Sequence, residues 1–204
     1  MFENAIIKNY AAPPVDKREI LRYAGYKGEA DENISALLNE CLTESEKACA
    51  YRACYRAFDV KRTDEYCQIG NIQTDSALVK ERLNGCEKAV VMAATIGLEM
   101  DRLIMKYAQI ATSKALIMQA IGAERIEALC DVICAELKEK YGNIGDRFSA
   151  GYGDFPLTAQ RDIFTMLGCE KGIGLTLNDS LLMSPTKSVT AIIGLKNRAT
   201  PNKN

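Results

Sequence analysis

The sequence predicts an α+β fold in which helices pack on a largely antiparallel sheet. Three segments support this class: a period-2 stretch at 51–58, a continuous apolar stretch at 88–97 and helical periodicity over 126–137. Strands and helices alternate irregularly instead of forming βαβ units, which favours antiparallel pairing. The 204 residues, 48% of them hydrophobic, suffice for one substantial core. We therefore expect a single domain over 1–195, with room for two lobes, and a disordered polar tail over 196–204.

The first half of the chain predicts helices followed by strands. A short amphipathic helix is predicted over 15–24 and a second helix over about 31–48. "YRACYRAF" at 51–58 then alternates apolar and polar residues, as a strand with one exposed face does, and "EYCQIGN" at 65–71 predicts its neighbour. Another short helix is predicted near 75–83.

A buried strand begins the second half. "KAVVMAATIG" is apolar without alternation, which is typical of a central strand buried on both faces, and Gly97 precedes the next helix. The segment 100–121 is helical, with Gly122 as a predicted interruption. A regular helical stripe follows: Ile126, Leu129, Cys130, Ile133 and Leu137.

The C-terminal part predicts one more helix and a pair of strands. The helix begins at Thr158, a suitable N-cap, and ends at Leu167 before Gly168. Beyond it, two short strands are predicted to flank a turn at Pro185.

The composition limits the possible function classes. A formal net charge of −1 gives no general attraction to nucleic acid or to anionic lipid. The first residues, MFENAIIKNY, lack the apolar stretch of a signal peptide, and no segment approaches the roughly 20 consecutive apolar residues of a membrane-spanning helix. We therefore expect a cytoplasmic protein.

The chain contains no histidine, which excludes histidine-dependent triads, the HExxH zinc site and a histidine general base. Eight cysteines are scattered without a CxxC motif. Cys130 and Cys134 lie one helical turn apart and could share a metal, but no second close thiol pair completes a tetrahedral zinc site. We interpret the cysteines as core or surface thiols and predict no metal and no catalytic side chain. An α+β enzyme using cysteine chemistry is disfavoured because no thiol has an evident activating neighbour.

The loop "RFSAGYGDFP" at 147–156 is the strongest candidate for a binding site. Arg147 offers a planar fork of donors for a carboxylate or phosphate. Gly151 and Gly153 allow positive φ or close approach of a ligand, and Tyr152 between them presents an aromatic face to a cation. The alternative interpretation is an ordinary connection between helices, with turn glycines and a surface arginine.

Two motifs in the C-terminal part resemble the activation domain of cobalamin-dependent methionine synthase. The first is R-x-x-x-G-Y at 147–152, followed by Pro156 and a predicted helix. The second is "IGLTLNDSLLMSPTKSV" at 173–189, similar to the family's Gly-x-x-Leu-Thr approach and Met-x-Pro-x-x-Ser-Val strand. "EILRYAGYKG" and "ATIGLEMDRL" are similar to short, stand-alone members. The resemblance extends from about 15 to 195.

The resemblance implies an S-adenosylmethionine-binding reactivation subunit that serves methionine biosynthesis as a component of a methyltransferase. In this family the domain holds the methyl donor over a cobalamin, and one-electron reduction with methyl transfer restores methylcobalamin. The implied partners are a corrinoid-binding protein or methionine synthase modules presenting cobalamin, and a reductase or small electron-transfer protein; no nucleic acid or membrane is implied. Because the sulfonium is an activated leaving group, the protein contributes proximity and orientation, which need no histidine.

The resemblance also implies roles for single residues. Arg147 matches the arginine that pairs with the donor's carboxylate, while Ser149 and Gly151 match positions whose backbone meets the ligand. Tyr152 matches the tyrosine that faces the corrin. Glu127 matches an acidic residue that holds the donor's ammonium or ribose, although a solvated glutamate at the edge of the helical stripe is an equal alternative. For Gly151 the alternative is a simple turn glycine.

Two departures from the family pattern leave a second function open. Around the Gly-Tyr pair, where prolines are common in the family, only Pro156 remains, so we expect a looser loop and weaker donor binding. The residues found there instead are Phe148, Ala150, Gly153 and Asp154. The chain also stops soon after "SVTAIIGL". These features motivate the alternative of a non-catalytic module that binds the corrinoid protein and has a degenerate donor pocket.

Overall fold

A computed structural model describes residues 5–28 and 30–196 of the chain. The strands are β1 (Ile6–Asn9), β2 (Arg52–Arg62), β3 (Cys67–Ile69), β4 (Ile72–Thr74), β5 (Cys86–Thr95), β6 (Thr176–Leu177), β7 (Met183–Ser184) and β8 (Ser188–Lys196). The helices are α1 (Lys17–Tyr23), α2 (Glu32–Ala48), α3 (Ala77–Arg82), α4 (Leu98–Ile110), α5 (Thr112–Tyr141), α6 (Gln160–Leu167) and α7 (Cys169–Ile173). Except for Lys196, the predicted polar tail lies outside the described residues.

The main sheet is antiparallel throughout, which confirms the predicted fold class. Its strand order is β4-β3-β2-β5-β8, and β1 pairs with β2 beside this path. β5 pairs with β2 on one side and with β8 on the other, and its residues from Ala89 to Thr95 are buried. The predicted central strand is therefore confirmed. β6 and β7 form a separate hairpin. Two short strands are predicted around Pro185; β7 before it is short, but β8 after it has 9 residues.

Helices and a loop cover both faces of this sheet. On one face α2, α4 and α5 bury a core with the sheet, and the predicted stripe of α5 lies within it: Ile126, Leu129, Cys130, Ile133 and Leu137. The other face packs against α3, α6, α7 and the loop that contains Phe148 and Phe155. Full burial of a large aliphatic side chain contributes roughly 1.5–3 kcal/mol, so the stripe is a main source of stability.

The prediction that β2 has an exposed face is wrong for the first half of the strand. Ala53 and Tyr55 are buried under the helices, while Cys54 is buried on the opposite face. There the Sγ of Cys54 lies 3.9 Å from the Sγ of Cys169 in α7. The alternation of β2 is real, but the sequence of the strand cannot show that a distant short helix covers its second face.

The predicted interruption at Gly122 is also wrong. Helix α5 continues through Gly122, and the chain breaks instead at Ala111, which separates α4 from α5. A Cβ atom at position 122 would lie 2.8 Å from the Cε atom of Lys187. Glycine therefore admits the lysine side chain that crosses the helix, a contact invisible in helical periodicity.

The predicted N-cap at Thr158 is not observed. Thr158 lies inside a 3₁₀ turn at Leu157–Ala159, and α6 begins at Gln160 without a side-chain cap. The end of α6 is confirmed, because Gly168 takes the left-handed conformation with φ of +62°. The helix α7 then follows directly.

A buried ion pair fastens the segment before α1 to α5. The Nε atom of Arg125 donates to Glu124 over 2.6 Å, and its two terminal nitrogens donate to the carbonyl oxygens of Pro13 and Pro14, each over 2.6 Å. Glu124 in turn accepts from the backbone N–H of Asp16 over 3.0 Å. Both charged side chains are almost fully buried. The pair therefore fixes the path of residues 13–16 across α5.

We expect Arg125→Met to lower the free energy of unfolding by about 3–5 kcal/mol, because the buried carboxylate of Glu124 loses its partner. Urea denaturation measures this loss. The double variant Glu124→Gln/Arg125→Met should recover part of the stability, since it removes both charges.

The matched control is Arg102→Met, which breaks an exposed pair with Glu99 on α4 and should cost less than about 1 kcal/mol. An Arg125→Met protein as stable as this control would contradict the assigned role of the buried pair.

Candidate functional site

A groove of about 650 Å³ lies between the segment leading into α1, the helix α5 and Arg147. We call it the acidic groove, because five of its lining residues are carboxylates. Its lining is Pro13, Pro14, Asp16, Glu19, Tyr23, Glu124, Glu127, Ala128, Asp131, Val132, Ala135 and Arg147. The volume falls within the range of small-molecule sites.

The backbone beside β8 positions Arg147 at this groove. The N–H of Gly145 donates to Gly194 over 2.8 Å, and Phe148 and Ile192 exchange two backbone hydrogen bonds of 3.0 and 2.8 Å. The residues between these bonds therefore run beside β8, which they join through two isolated bridges, Ile144 with Leu195 and Phe148 with Ile192. Arg147 projects from it toward α5, and its side chain is 27% exposed.

Two carboxylates of α5 hold the guanidinium of Arg147. Its Nη1 donates to Asp131 Oδ1 over 2.6 Å, and its Nη2 donates to Glu127 Oε2. Partial burial opposes the charge of Arg147, but its hydrogen bond to Asp131 and the nearby negative charges outweigh this and raise its pKa above the ordinary value. The fork is therefore a permanent cation with two anionic neighbours.

The other carboxylates of the groove already have partners. Asp16 accepts from two backbone N–H groups and caps α1, Glu19 pairs with Arg22, and Glu124 pairs with Arg125. The groups available to a ligand at the centre are consequently Arg147 and the two acids of α5. Together they can bind an anionic group beside cationic groups.

The loop after Arg147 is anchored at its far end by Asp154. This carboxylate accepts from the Oγ of Ser76 and the N–H of Ala77, each over 2.6 Å, and from the N–H of Leu78 over 3.2 Å. These bonds, led by that of Ser76, hold the pKa of Asp154 below its ordinary value. Because Asp154 thereby caps the start of α3, the loop is tied to the body of the domain.

Further contacts close the loop on itself. The N–H of Gly151 donates to the carbonyl of Phe155 over 2.8 Å, and the Phe148 and Phe155 rings meet edge to face at 6.1 Å. Gly151 has φ of +88°, and a Cβ there would lie 2.9 Å from Leu157. A capping carboxylate and buried aromatic rings therefore anchor this loop where the family pattern has prolines, and the expected weaker donor binding stays a prediction.

The structure brings together two of the five predicted site residues, Arg147 and Glu127. Ser149, Gly151 and Tyr152 are not among the described residues that line the acidic groove. Tyr152 stands at the loop tip, with 68% of its surface exposed. The predicted residues thus fall into a groove pair and a neighbouring exposed tip.

Sequence reasoning missed most of the groove. Asp131 lies one turn after Glu127 on α5, so the i, i+4 spacing could have indicated it as a second partner for Arg147. The wall formed by Pro13, Pro14 and Asp16 carries no such signal, because it depends on the buried Arg125.

Of the two cysteines near Arg147, Cys130 is buried and Cys134 is half-buried. Burial raises the pKa of Cys130 to about 12 and raises that of Cys134, despite the nearby Arg147. Both thiols therefore stay protonated at neutral pH, which makes them poor nucleophiles and poor metal ligands. Among the described residues, no group of three or more Cys, Asp or Glu side chains could hold a metal ion. Within the same ranges, no helix is long and apolar enough to cross a membrane.

One family model and one solved structure are similar to this chain. The family model described as "Vitamin B12 dependent methionine synthase, activation domain" matches residues 75–200. A crystal structure of the MetH reactivation domain bound to AdoHcy is similar to this chain with a TM-score of 0.67 and 17% sequence identity. The match covers 97% of this chain and 80% of that one. No curated protein sequence matches significantly.

We expect the contribution of Asp154 to stability to depend on pH. Its pKa is lower in the folded state than in the unfolded chain, so the contribution is complete above the unfolded value of about 4 and is lost as the pH falls through the folded value. The urea midpoints of wild type and Asp154→Asn should therefore differ at pH 6 and converge at low pH. The control Asp179→Asn should have the same urea midpoint as wild type. A constant difference for Asp154→Asn down to acid pH would refute the capping role.

Proposed function

Because the chain belongs to the family of vitamin B12 dependent methionine synthase activation domains, we propose that it is a reactivation subunit that binds S-adenosylmethionine. It would support the reductive methylation of cobalamin held by a corrinoid-binding protein or methionine synthase modules, with electrons from a reductase or small electron-transfer protein. The observation that carries this proposal is the guanidinium of Arg147 beside two carboxylates in a groove of about 650 Å³.

The acidic groove suits the chemistry of the donor. S-adenosylmethionine carries a carboxylate, an ammonium and a sulfonium, so it needs one cation and more than one anion from its site. Arg147 is suited to the carboxylate, since its planar fork can make two parallel hydrogen bonds. Glu127 is suited to the ammonium. The similar domain that binds AdoHcy supports a nucleoside ligand of this size.

The residues of this chain would work by binding and orientation. The donor supplies an activated methyl group, and no proton has to move for its transfer. Arg147 would fix one end of the donor, and the wall at Pro13 and Pro14 would limit its movement across the groove. Such positioning is a large source of rate acceleration when the reacting groups are already activated.

The exposed loop tip is the part suited to meet the corrinoid partner. Tyr152 is 68% exposed, and the neighbouring Leu157 is 42% exposed. An aromatic and an aliphatic side chain are suited to the flat face of a corrin. The tip follows Arg147 by a few residues on the anchored loop, so donor binding and corrin docking would use two parts of one loop.

We expect Arg147→Ala to weaken binding of S-adenosylmethionine by at least about tenfold, because a charge-assisted pair is lost. Arg147→Lys should fall between this variant and wild type, since it keeps the charge without the fork. Isothermal titration calorimetry measures the affinities, and Arg161→Ala, on the exposed face of α6, is the control. Absence of binding at millimolar donor would favour the module with a degenerate pocket. Unchanged binding in Arg147→Ala would show that Arg147 does not hold the donor.

Tyr152→Ala should leave donor affinity unchanged within about twofold and weaken binding to a cobalamin-loaded corrinoid protein, because the tyrosine lies outside the groove lining. Tyr152→Phe keeps the ring and should bind the partner nearly as wild type does. Surface plasmon resonance with the corrinoid protein tests this. Equal partner binding by Tyr152→Ala and wild type would show that docking occurs elsewhere.

A further inference from the structure

The charges at the centre of the acidic groove do not balance. Arg147 carries one positive charge, while Glu127 and Asp131, on successive turns of α5, carry two negative charges. The remaining groove carboxylates are engaged by a helix cap or by another arginine, as described above. The centre therefore has one more negative than positive charge.

We propose that Asp131 makes the groove prefer the cationic donor S-adenosylmethionine to its product S-adenosylhomocysteine. This inference rests on the proposed function. The methionyl part of the donor carries one negative and two positive centres, which is the charge pattern of the groove centre with all signs reversed. Once the donor carboxylate takes Arg147, both acids of α5 are released to face the ammonium and the sulfonium.

The product lacks one of these charges. The methyl group would pass to a nucleophile presented by the partner, whose electron pair forms the new bond to carbon. The electron pair of the broken S–CH₃ bond stays on sulfur, which becomes a neutral thioether. With the ligand carboxylate bound to Arg147, Glu127 and Asp131 then have only the ligand ammonium as a cationic partner. One of the two carboxylates is left without a partner. The groove consequently loses affinity for its ligand once the methyl group has left, which favours replacement of product by donor.

Exposure and position single out Asp131 as the carboxylate that senses the sulfonium. Its side chain is 71% exposed, against 41% for Glu127, and it contacts Arg147 through Oδ1. It also lies where the acidic groove meets a second groove that contains Cys134 and Lys138. Asp131 is therefore the acid that can more easily give up its hydrogen bond to Arg147 and turn toward the sulfonium. Glu127, which is less exposed, would bind the ammonium.

Calorimetry with the two ligands and three proteins tests the inference. Wild type should bind S-adenosylmethionine about three- to tenfold more tightly than S-adenosylhomocysteine, a modest preference because the carboxylate is largely exposed. In Asp131→Asn the two affinities should become nearly equal. The control Asp146→Asn removes the same charge one residue from Arg147, where Asp146 pairs with Arg82, and should keep the preference. Raising the salt concentration should shrink the wild-type preference.

Each other outcome has a distinct meaning. Equal wild-type affinities, or a preference that Asp131→Asn retains, would overturn the inference and leave the donor site in place. An equal change for both ligands in Asp131→Asn would also overturn it, since Asp131 would then only orient Arg147. Failure of wild type to bind either ligand would refute the donor site itself, and the inference with it.

Discussion

The burial of one stripe of α5 against the sheet fixes the wall of the acidic groove that this helix forms. Ile126, Leu129 and Ile133 are buried, so the helix cannot rotate about its axis without exposing them. This constraint sets the direction of Glu127 and Asp131, which lie on the neighbouring side of the same turns. The apolar packing that stabilises the domain therefore also places the two acids that meet Arg147.

The loop that carries Arg147 is held in place by hydrogen bonds and buried side chains rather than by prolines. Its start is hydrogen-bonded along β8, its end caps α3 through Asp154, and Phe155 is buried beneath it. Proline stiffens a loop by restricting the unfolded chain, whereas these contacts stabilise the folded loop directly. Because the two routes give a similar ordered backbone, the absence of prolines from a family motif is weak evidence against a preformed site.

The sequence predicts what depends on local periodicity and misses what depends on distant contacts. The strand β5 and the stripe of α5 are found because burial on both faces or on one face leaves a regular pattern. The helical pattern predicts a break at Gly122 because the pattern cannot show the contact with Lys187, more than sixty residues away. The same holds for the site. Arg147 and Glu127 follow from motifs, but the wall that Arg125 holds in place follows from a buried polar network without a periodic signal.

The lack of histidine fits the chemistry that the groove can perform. Its central groups are the guanidinium of Arg147, whose pKa is raised, and the two carboxylates that accept its hydrogen bonds. Fixed charges of this kind recognise a ligand by its charge pattern. They serve a reaction whose leaving group is already activated, because such a reaction needs alignment more than proton transfer. The residue types at the centre of the groove therefore suit the proposed recognition and positioning of a charged donor.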